Sequence, residues 1–161
     1  MTTLSELPDE QLLRLDHQIC FSLHAAARAF GGVYRVALKD LDLTYPQYLA
    51  MLVLWEHGDQ PVKRIGERLR LDSGTLSPLL KRLETAGLVR RERSVEDERS
   101  VTVRLTEAGA ALRERALEVP RRISRATGLA VSDLTELRAM LERVTSALDA
   151  AATDEATLTG S

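Results

Sequence analysis

The chain has 161 residues and a single cysteine, Cys20, so no disulfide can form within it. One cysteine without a partner is typical of a reducing cytoplasm and not of a secreted fold held together by disulfides. The sequence also lacks an apolar run of membrane-spanning length and a charged-then-apolar leader at its start. We therefore expect a cytoplasmic protein without a membrane segment.

The net charge of −2 gives no indication of nucleic-acid binding by itself. The charges are unevenly distributed, because residues 60–105 contain eleven Lys or Arg and seven Asp or Glu. That segment is therefore basic while the rest of the chain is acidic. A basic segment favours contact with DNA phosphates, although many basic faces are only solvated surface.

Apolar residues spaced by three and four predict two helices ahead of the basic segment. The first spans residues 8–30 and is expected to be interrupted by the glycine pair 31–32. The second begins at Thr44, whose hydroxyl can cap it together with Gln47 in a capping box. Gly58 is placed to end this helix.

The basic segment has the element order of a winged helix-turn-helix. The pattern predicts a short helix over residues 62–69, a turn and cap at 72–74 and a second helix over 75–86. Two β-rich runs follow, at 88–93 and 101–105, with a charged loop between them. The second helix of such a domain is the one that enters the major groove of DNA.

Two more helices are predicted after the hairpin. Thr106 can cap the first, which reaches about Pro120 and continues with a kink toward Thr127. The second begins at Ser132 and carries an apolar stripe with helical spacing. Residues 151–161 are small and polar, so we expect a frayed tail. The predicted fold class is α+β, mostly helical with a small β-hairpin.

Polar and basic side chains near the start of the second helix can contact phosphates and base edges. The candidates on that helix are Ser73, Thr75, Ser77, Lys81 and Arg82. The hairpin carries Arg93 and Arg99 toward its tip, where an arginine can enter the minor groove. Asp97 is expected to shape this wing by accepting hydrogen bonds. The alternative is a winged helix that contacts only other proteins.

Several segments resemble the MarR family of winged-helix repressors. They are Leu43–Tyr48 (LTYPQY), Leu71–Glu84 (LDSGTLSPLLKRLE), Gly87–Val89 (GLV), Glu96–Ser100 (EDERS) and Leu105–Gly109 (LTEAG). The run Leu15–Phe21, with Cys20 ahead of Tyr34 and Tyr45, more closely resembles the organic hydroperoxide sensor (OhrR) branch of that family. The resemblance spans residues 10–148.

This resemblance implies a homodimer that binds double-stranded operator DNA and represses transcription. The helical regions 8–42 and 106–150 would form the dimerisation region, and residues 43–105 the DNA-binding domain. The first and last helices of the two subunits would interlock, with the winged domains reaching two half-sites. No cofactor or metal is implied.

Cys20 has two interpretations from its residue type, a small buried hydrophobe or a reactive thiol. The resemblance implies the second, because Cys20 matches the peroxidatic cysteine and Tyr34 and Tyr45 match tyrosines that hydrogen-bond its sulfur across the dimer. An organic hydroperoxide would oxidise the thiolate to a sulfenic acid. A low-molecular-weight thiol would then form a mixed disulfide, and the operator would be released.

Three alternatives remain at this point. His17 and His24, three residues before and four after Cys20, form either a polar flank or part of a zinc site. His24 stands where related sensors can carry another tyrosine. The chain could instead be a repressor released by a small phenolic ligand, with Cys20 inert, or a thiol peroxidase. The basic winged segment and the absence of a resolving cysteine argue against the enzyme.

Overall fold

The protein is described by a computed structural model over residues 8–93 and 100–159, with side chains described as far as residue 154. Its fold is mostly helical with one small antiparallel sheet, which confirms the predicted α+β class. The α-helices are α1 (Asp9–Leu12), α2 (Ile19–Ala37), α3 (Tyr45–His57), α4 (Val62–Leu69), α5 (Ser73–Thr85), α6 (Glu107–Ala116), α7 (Glu118–Thr127) and α8 (Val131–Thr159). The strands are β1 (Gln60–Pro61), β2 (Val89–Arg93) and β3 (Val101–Leu105), and short 3-10 helices occupy Leu15–His17 and Lys39–Leu41.

The N-terminal region differs from the prediction in where its helix breaks. Gln18 has an extended backbone, with φ −86° and ψ 101°, and α2 begins directly after it. The helix then continues through Gly31 and Gly32, so the predicted break at these glycines is wrong. A glycine weakens a helix by only about 1 kcal/mol relative to alanine, which other interactions of a long helix can offset. As a result, Cys20 lies in the first turn of α2 and not in its middle.

Helix α3 begins where the capping box predicted it. The Thr44 backbone N–H donates to Gln47 Oε1 at 2.8 Å, and the Gln47 backbone N–H donates to Thr44 Oγ1 at 3.4 Å. Helix α3 supplies much of the buried core, which it forms with residues of α4, α5, α6 and the sheet. The fully buried large side chains are Leu38, Met51, Leu54, Ile65, Leu76, Leu80, Leu83, Val89, Val103 and Val119.

Helices α4 and α5 and the sheet form the winged helix-turn-helix. Strands β2 and β3 pair in antiparallel register from Val89 opposite Leu105 to Arg93 opposite Val101. Strand β1 pairs with the other edge of β3 and gives the order β1-β3-β2. Sequence patterning predicted only a turn at β1, because two residues that include a proline carry no strand periodicity. The sheet thus has three strands where a two-stranded hairpin was predicted.

The C-terminal part contains three helices. A break at Leu117 separates α6 from α7, so the interruption of the helix precedes Pro120. The backbone of α8 is helical through Thr159, in contrast to the frayed tail predicted for residues 151–161. The chain divides into two compact units, one that ends at Ile123 and one that begins at Ser124. In the part of the chain that the structure describes, no helix has both the length and the apolar character needed to cross a bilayer.

Candidate thiol sensor and nucleic-acid interface

Cys20 is a free cysteine and is exposed in the protomer. It is the second residue of α2, and the first turn of this helix contains no acidic residue. The side chains of Leu15, Ile19 and Phe21 are also exposed, at 61%, 58% and 47%. The thiol is therefore open to solvent and is flanked by exposed apolar side chains.

Tyr34 and Tyr45 contact each other at the opposite end of α2. Their ring centroids are 4.5 Å apart, and a third ring, that of Tyr48, lies 6.1 Å from Tyr34. Burial, together with the neighbouring Tyr45 and Tyr48, raises the pKa of Tyr34 to about 12. Its hydroxyl therefore keeps its proton at neutral pH and can donate a hydrogen bond. Among the described residues, neither the Tyr34 nor the Tyr45 hydroxyl has a hydrogen-bond partner.

The tyrosine pair cannot reach Cys20 of its own chain. Cys20 and Tyr34 are fourteen positions apart on the unbroken helix α2. At a rise of 1.5 Å per residue, their backbones are about 21 Å apart, several times the length of a tyrosine side chain. A hydrogen bond between these groups therefore requires a second copy of the chain.

The two histidines near Cys20 bind backbone carbonyl groups. His24 Nδ1–H donates to the Cys20 carbonyl oxygen at 2.8 Å, and His17 Nδ1–H donates to the Gln11 carbonyl oxygen at 2.9 Å. His17 precedes the extended Gln18, so it does not share a helical face with Cys20, contrary to the zinc alternative. Over residues 8–93 and 100–154, no three His, Cys, Asp or Glu side chains are grouped to hold a metal ion.

Helix α5 has one buried apolar face and one exposed polar face. The buried side chains are Leu76, Leu79, Leu80 and Leu83. The exposed ones include all five candidates for DNA contact on this helix, namely Ser73, Thr75, Ser77, Lys81 and Arg82. Neither Lys81 nor Arg82 forms an ion pair with any described residue. Their charges are available to DNA phosphates.

Thr75 differs from the two serines because it also caps the helix. Its backbone N–H donates to Asp72 Oδ1 at 2.9 Å, and its hydroxyl donates to Asp72 Oδ2 at 3.0 Å. These two donors hold the pKa of Asp72 below its usual value. With its proton committed, the Thr75 hydroxyl can accept a hydrogen bond from a base but cannot donate one. No side-chain hydrogen bond to a described residue engages Ser73 or Ser77.

The arginines of the sheet fall into two groups. Arg91 binds Glu84 through Nη2 at 2.8 Å, and Arg104 binds Glu92 at 3.1 Å. Arg91 links the sheet to α5, and Arg104 stabilises the sheet itself. Arg93, at the end of β2, is exposed and forms no ion pair with a described residue. The sequence pattern indicated Arg93 but not the Glu84–Arg91 pair, because strand register places Arg91 beside α5 and no local motif signals it.

The other two wing candidates, Asp97 and Arg99, lie outside the described residues. Sequence places both between β2 and β3, in the charged loop of the predicted hairpin. Their roles in shaping the wing and reading the minor groove stay predictions.

Comparison with known proteins agrees with this architecture. Residues 33–115 match the family described as transcriptional regulator SarA/Rot. The chain is 50% identical over 135 residues to the HTH-type transcriptional regulator TtmR of Methylorubrum extorquens (strain PA1), covering 84% of this chain and 68% of that protein. It is 47% identical over 129 residues to the organic hydroperoxide resistance transcriptional regulator of Bacillus subtilis (strain 168), covering 80% and 88%. The structure of reduced AbfR bound to DNA superposes with a TM-score of 0.73 at 37% identity, covering 88% and 99%.

Proposed function

Because the chain belongs to the SarA/Rot/MarR-type family of winged-helix transcriptional regulators, we propose that it is a repressor that organic hydroperoxides release from its operator. It is a DNA-binding transcriptional regulator, and its relatives are regulators too. The observation that carries the proposal is an exposed thiol at the start of α2, far along that helix from Tyr34 and its neighbour Tyr45, whose two hydroxyls have no hydrogen-bond partner among the described residues. The Bacillus subtilis relative, named for organic hydroperoxide resistance, supports the choice of signal.

The proposed assembly is a homodimer, as in the rest of the family. Residues 8–42 and 106–150 would form the dimerisation region. Helix α8 supports this, because it exposes an apolar row with helical spacing. The row consists of Leu137, Met140, Leu141, Val144 and Leu148. Two copies of α5 would then enter successive major grooves, with half-sites about one helical turn apart.

The reduced dimer would hold Cys20 against Tyr34 and Tyr45 of the other subunit. Phenol donors stabilise a thiolate more than a thiol, which makes the sulfur a better nucleophile. The apolar surface formed by Leu15, Ile19 and Phe21 favours an alkyl or lipid hydroperoxide over hydrogen peroxide. A reducing cytoplasm would keep the lone thiol ready to react.

The proposed oxidation is a two-electron displacement. The Cys20 thiolate attacks one oxygen of the hydroperoxide ROOH, an S–O bond forms and the O–O bond breaks. The leaving alkoxide takes a proton and departs as the alcohol ROH, and the sulfur becomes a sulfenic acid. A low-molecular-weight thiol then attacks this sulfur, an S–S bond forms and water leaves, because the chain has no second cysteine to do so. The added bulk would displace the two tyrosines and release DNA.

The test compares wild type with Cys20→Ser on a fluorescent duplex selected from random DNA by binding to the reduced protein. With cumene hydroperoxide and free cysteine, the wild type should dissociate while the serine variant stays bound. Dissociation of both proteins would contradict the proposal. Release of both by salicylate without oxidant would instead indicate a ligand-controlled repressor. Multiple turnovers of excess hydroperoxide, measured in the same mixture, would indicate a thiol peroxidase.

A further inference from the structure

A row of aromatic rings extends from the tyrosine pair into the protein interior. Tyr48 lies 6.1 Å from Tyr34, and Trp55 lies 6.4 Å from Tyr48 in an edge-to-face arrangement. Tyr48 is buried, at 3% exposure, so its ring has little room to move independently of its neighbours. A displacement of Tyr34 would therefore act on Tyr48 and, through it, on Trp55.

Trp55 connects this row to the start of α6 through one hydrogen bond. Its indole Nε1–H donates to the Gly109 carbonyl oxygen at 2.9 Å, across 54 positions of sequence. The Gly109 backbone N–H in turn donates to the Thr106 hydroxyl oxygen at 3.0 Å. Gly109 is thus held from both of its backbone polar groups.

Hydrogen bonds connect the start of α6 to the turn that follows the recognition helix α5. The Thr106 hydroxyl donates to the Gly87 carbonyl oxygen at 2.6 Å, and the Thr106 backbone N–H donates to the Leu88 carbonyl oxygen at 3.1 Å. The Leu88 backbone N–H donates to the carbonyl oxygen of Leu83, in α5, at 3.1 Å. A Cβ added at Gly109 would stand 1.9 Å from the Leu88 carbonyl oxygen, so these backbones touch directly.

We propose that Trp55 is a positioning residue that transmits the state of the tyrosine pair to the recognition helix α5. The inference rests on the proposed function, which makes Tyr34 and Tyr45 the groups that Cys20 modification displaces. The indole holds Gly109 by its one hydrogen-bond donor, and Gly109 and Thr106 hold the end of α5. When the tyrosines shift, Tyr48 and Trp55 shift with them. The orientation of the C-terminal end of α5 then changes. Close packing favours two discrete arrangements over a continuous deformation.

The first experiment compares operator binding by wild type and Trp55→Phe, each reduced and after cumene hydroperoxide with free cysteine. Phenylalanine keeps a ring against Tyr48 and removes the donor to Gly109. A hydrogen bond contributes about 0.5–1.5 kcal/mol, so we expect the affinity ratio of reduced to oxidised protein to be about two- to twelvefold smaller in the variant. Tyr48→Phe is the matched control, because it removes a hydroxyl and leaves the row of rings intact.

The outcomes separate the two proposals. If oxidation weakens wild type and Trp55→Phe by the same factor, the sensor proposal stands and the coupling through Trp55 is overturned. If hydroperoxide does not weaken DNA binding by the wild type, both the sensor proposal and the coupling through Trp55 are overturned. Circular dichroism and thermal unfolding check that Trp55→Phe is folded, and the reduced-state affinity checks that it reads DNA.

A second measurement needs no substitution at Trp55. It is the only tryptophan of the chain, so the protein's tryptophan fluorescence reports on this side chain alone. We expect its emission to change in proportion to the fraction of Cys20 converted to the mixed disulfide, and to stay constant in Cys20→Ser. Emission that does not change while DNA is released would overturn the inference, whatever the Trp55→Phe variant does.

Discussion

Glu84, in the last turn of the recognition helix α5, accepts three hydrogen bonds from Arg91 of the wing. Arg91 Nε and Nη2 donate to Glu84 Oε2 at 3.0 Å and 2.8 Å, and the Arg91 backbone N–H donates to Oε1 at 2.9 Å. Charge-assisted bonds made by a planar guanidinium fix orientation as well as distance. The pair therefore holds α5 and β2, the two elements proposed to contact DNA, in one relative orientation.

Removing this pair should lower stability in a pH-dependent way. The Arg91 contacts hold the pKa of Glu84 below its usual value of 4.5, so the folded protein binds this proton less readily than the unfolded chain. The contribution is therefore fully present above pH 4.5 and is lost as pH falls through the lowered folded value. Urea unfolding should show wild type to be more stable than Glu84→Gln at neutral pH, with the gap closing in acid.

Glu136→Gln is the matched control for this experiment. Glu136 is exposed on α8 and has no ion-pair partner among the described residues. Its replacement should leave the unfolding midpoint nearly unchanged at both pH values. A Glu84→Gln deficit of the same size at neutral and acid pH would show that the lost stability does not come from the carboxylate charge.

Tyr34→Phe and Tyr45→Phe should each make Cys20 less reactive. If each phenol donates to the thiolate of the other subunit, its loss removes about 1.5–3 kcal/mol of stabilisation of the charged sulfur. Alkylation of the dimer by iodoacetamide at neutral pH should then slow by about tenfold or more. Tyr48→Phe is the control, since Tyr48 is buried in its own protomer and cannot meet a second copy. Equal alkylation rates for the wild type and the three variants would show that Tyr34 and Tyr45 only pack and do not stabilise the thiolate.

Lys81→Ala should flatten the salt dependence of DNA binding. Each phosphate contact contributes about 0.9 to the slope of log affinity against log salt concentration, so losing one from each subunit should reduce the slope by about two. The exposed Lys39, outside the winged domain, provides the control Lys39→Ala. Titrations of labelled duplex at several salt concentrations measure both slopes. Parallel lines for wild type and Lys81→Ala would place Lys81 away from the DNA backbone.

Arg99→Lys should lose operator affinity while it keeps its charge. An arginine that reads a narrow minor groove benefits from a planar, weakly hydrated guanidinium, which lysine lacks. We expect a loss of about 1–3 kcal/mol on operator and almost none on random-sequence DNA. Competition binding at fixed salt measures both. If operator affinity is equal for Arg99 and lysine, the wing acts only through its charge.

Local sequence signals predicted most of the winged domain. The capping box of Thr44 and Gln47 and the caps at Asp72 and Thr106 act over three or four residues, so their sequence spacing is sufficient evidence of a helix start. Strand β1 was missed because it exists only through pairing with β3. The break near Gln18 was missed for a different reason, because no proline or glycine marks it in the sequence.

The fold class, the polar face of α5 and the presence of one thiol and two downstream tyrosines were predictable from the sequence. Each of these depends on residue type and short-range periodicity, both of which can be read from the amino-acid sequence. The three-dimensional fold places Cys20 at the solvent-exposed start of α2, about 21 Å along that helix from Tyr34, which no sequence pattern indicated. It also decided which arginines are bound by carboxylates and which remain available, because ion pairs such as Glu84–Arg91 depend on how strand and helix meet in space.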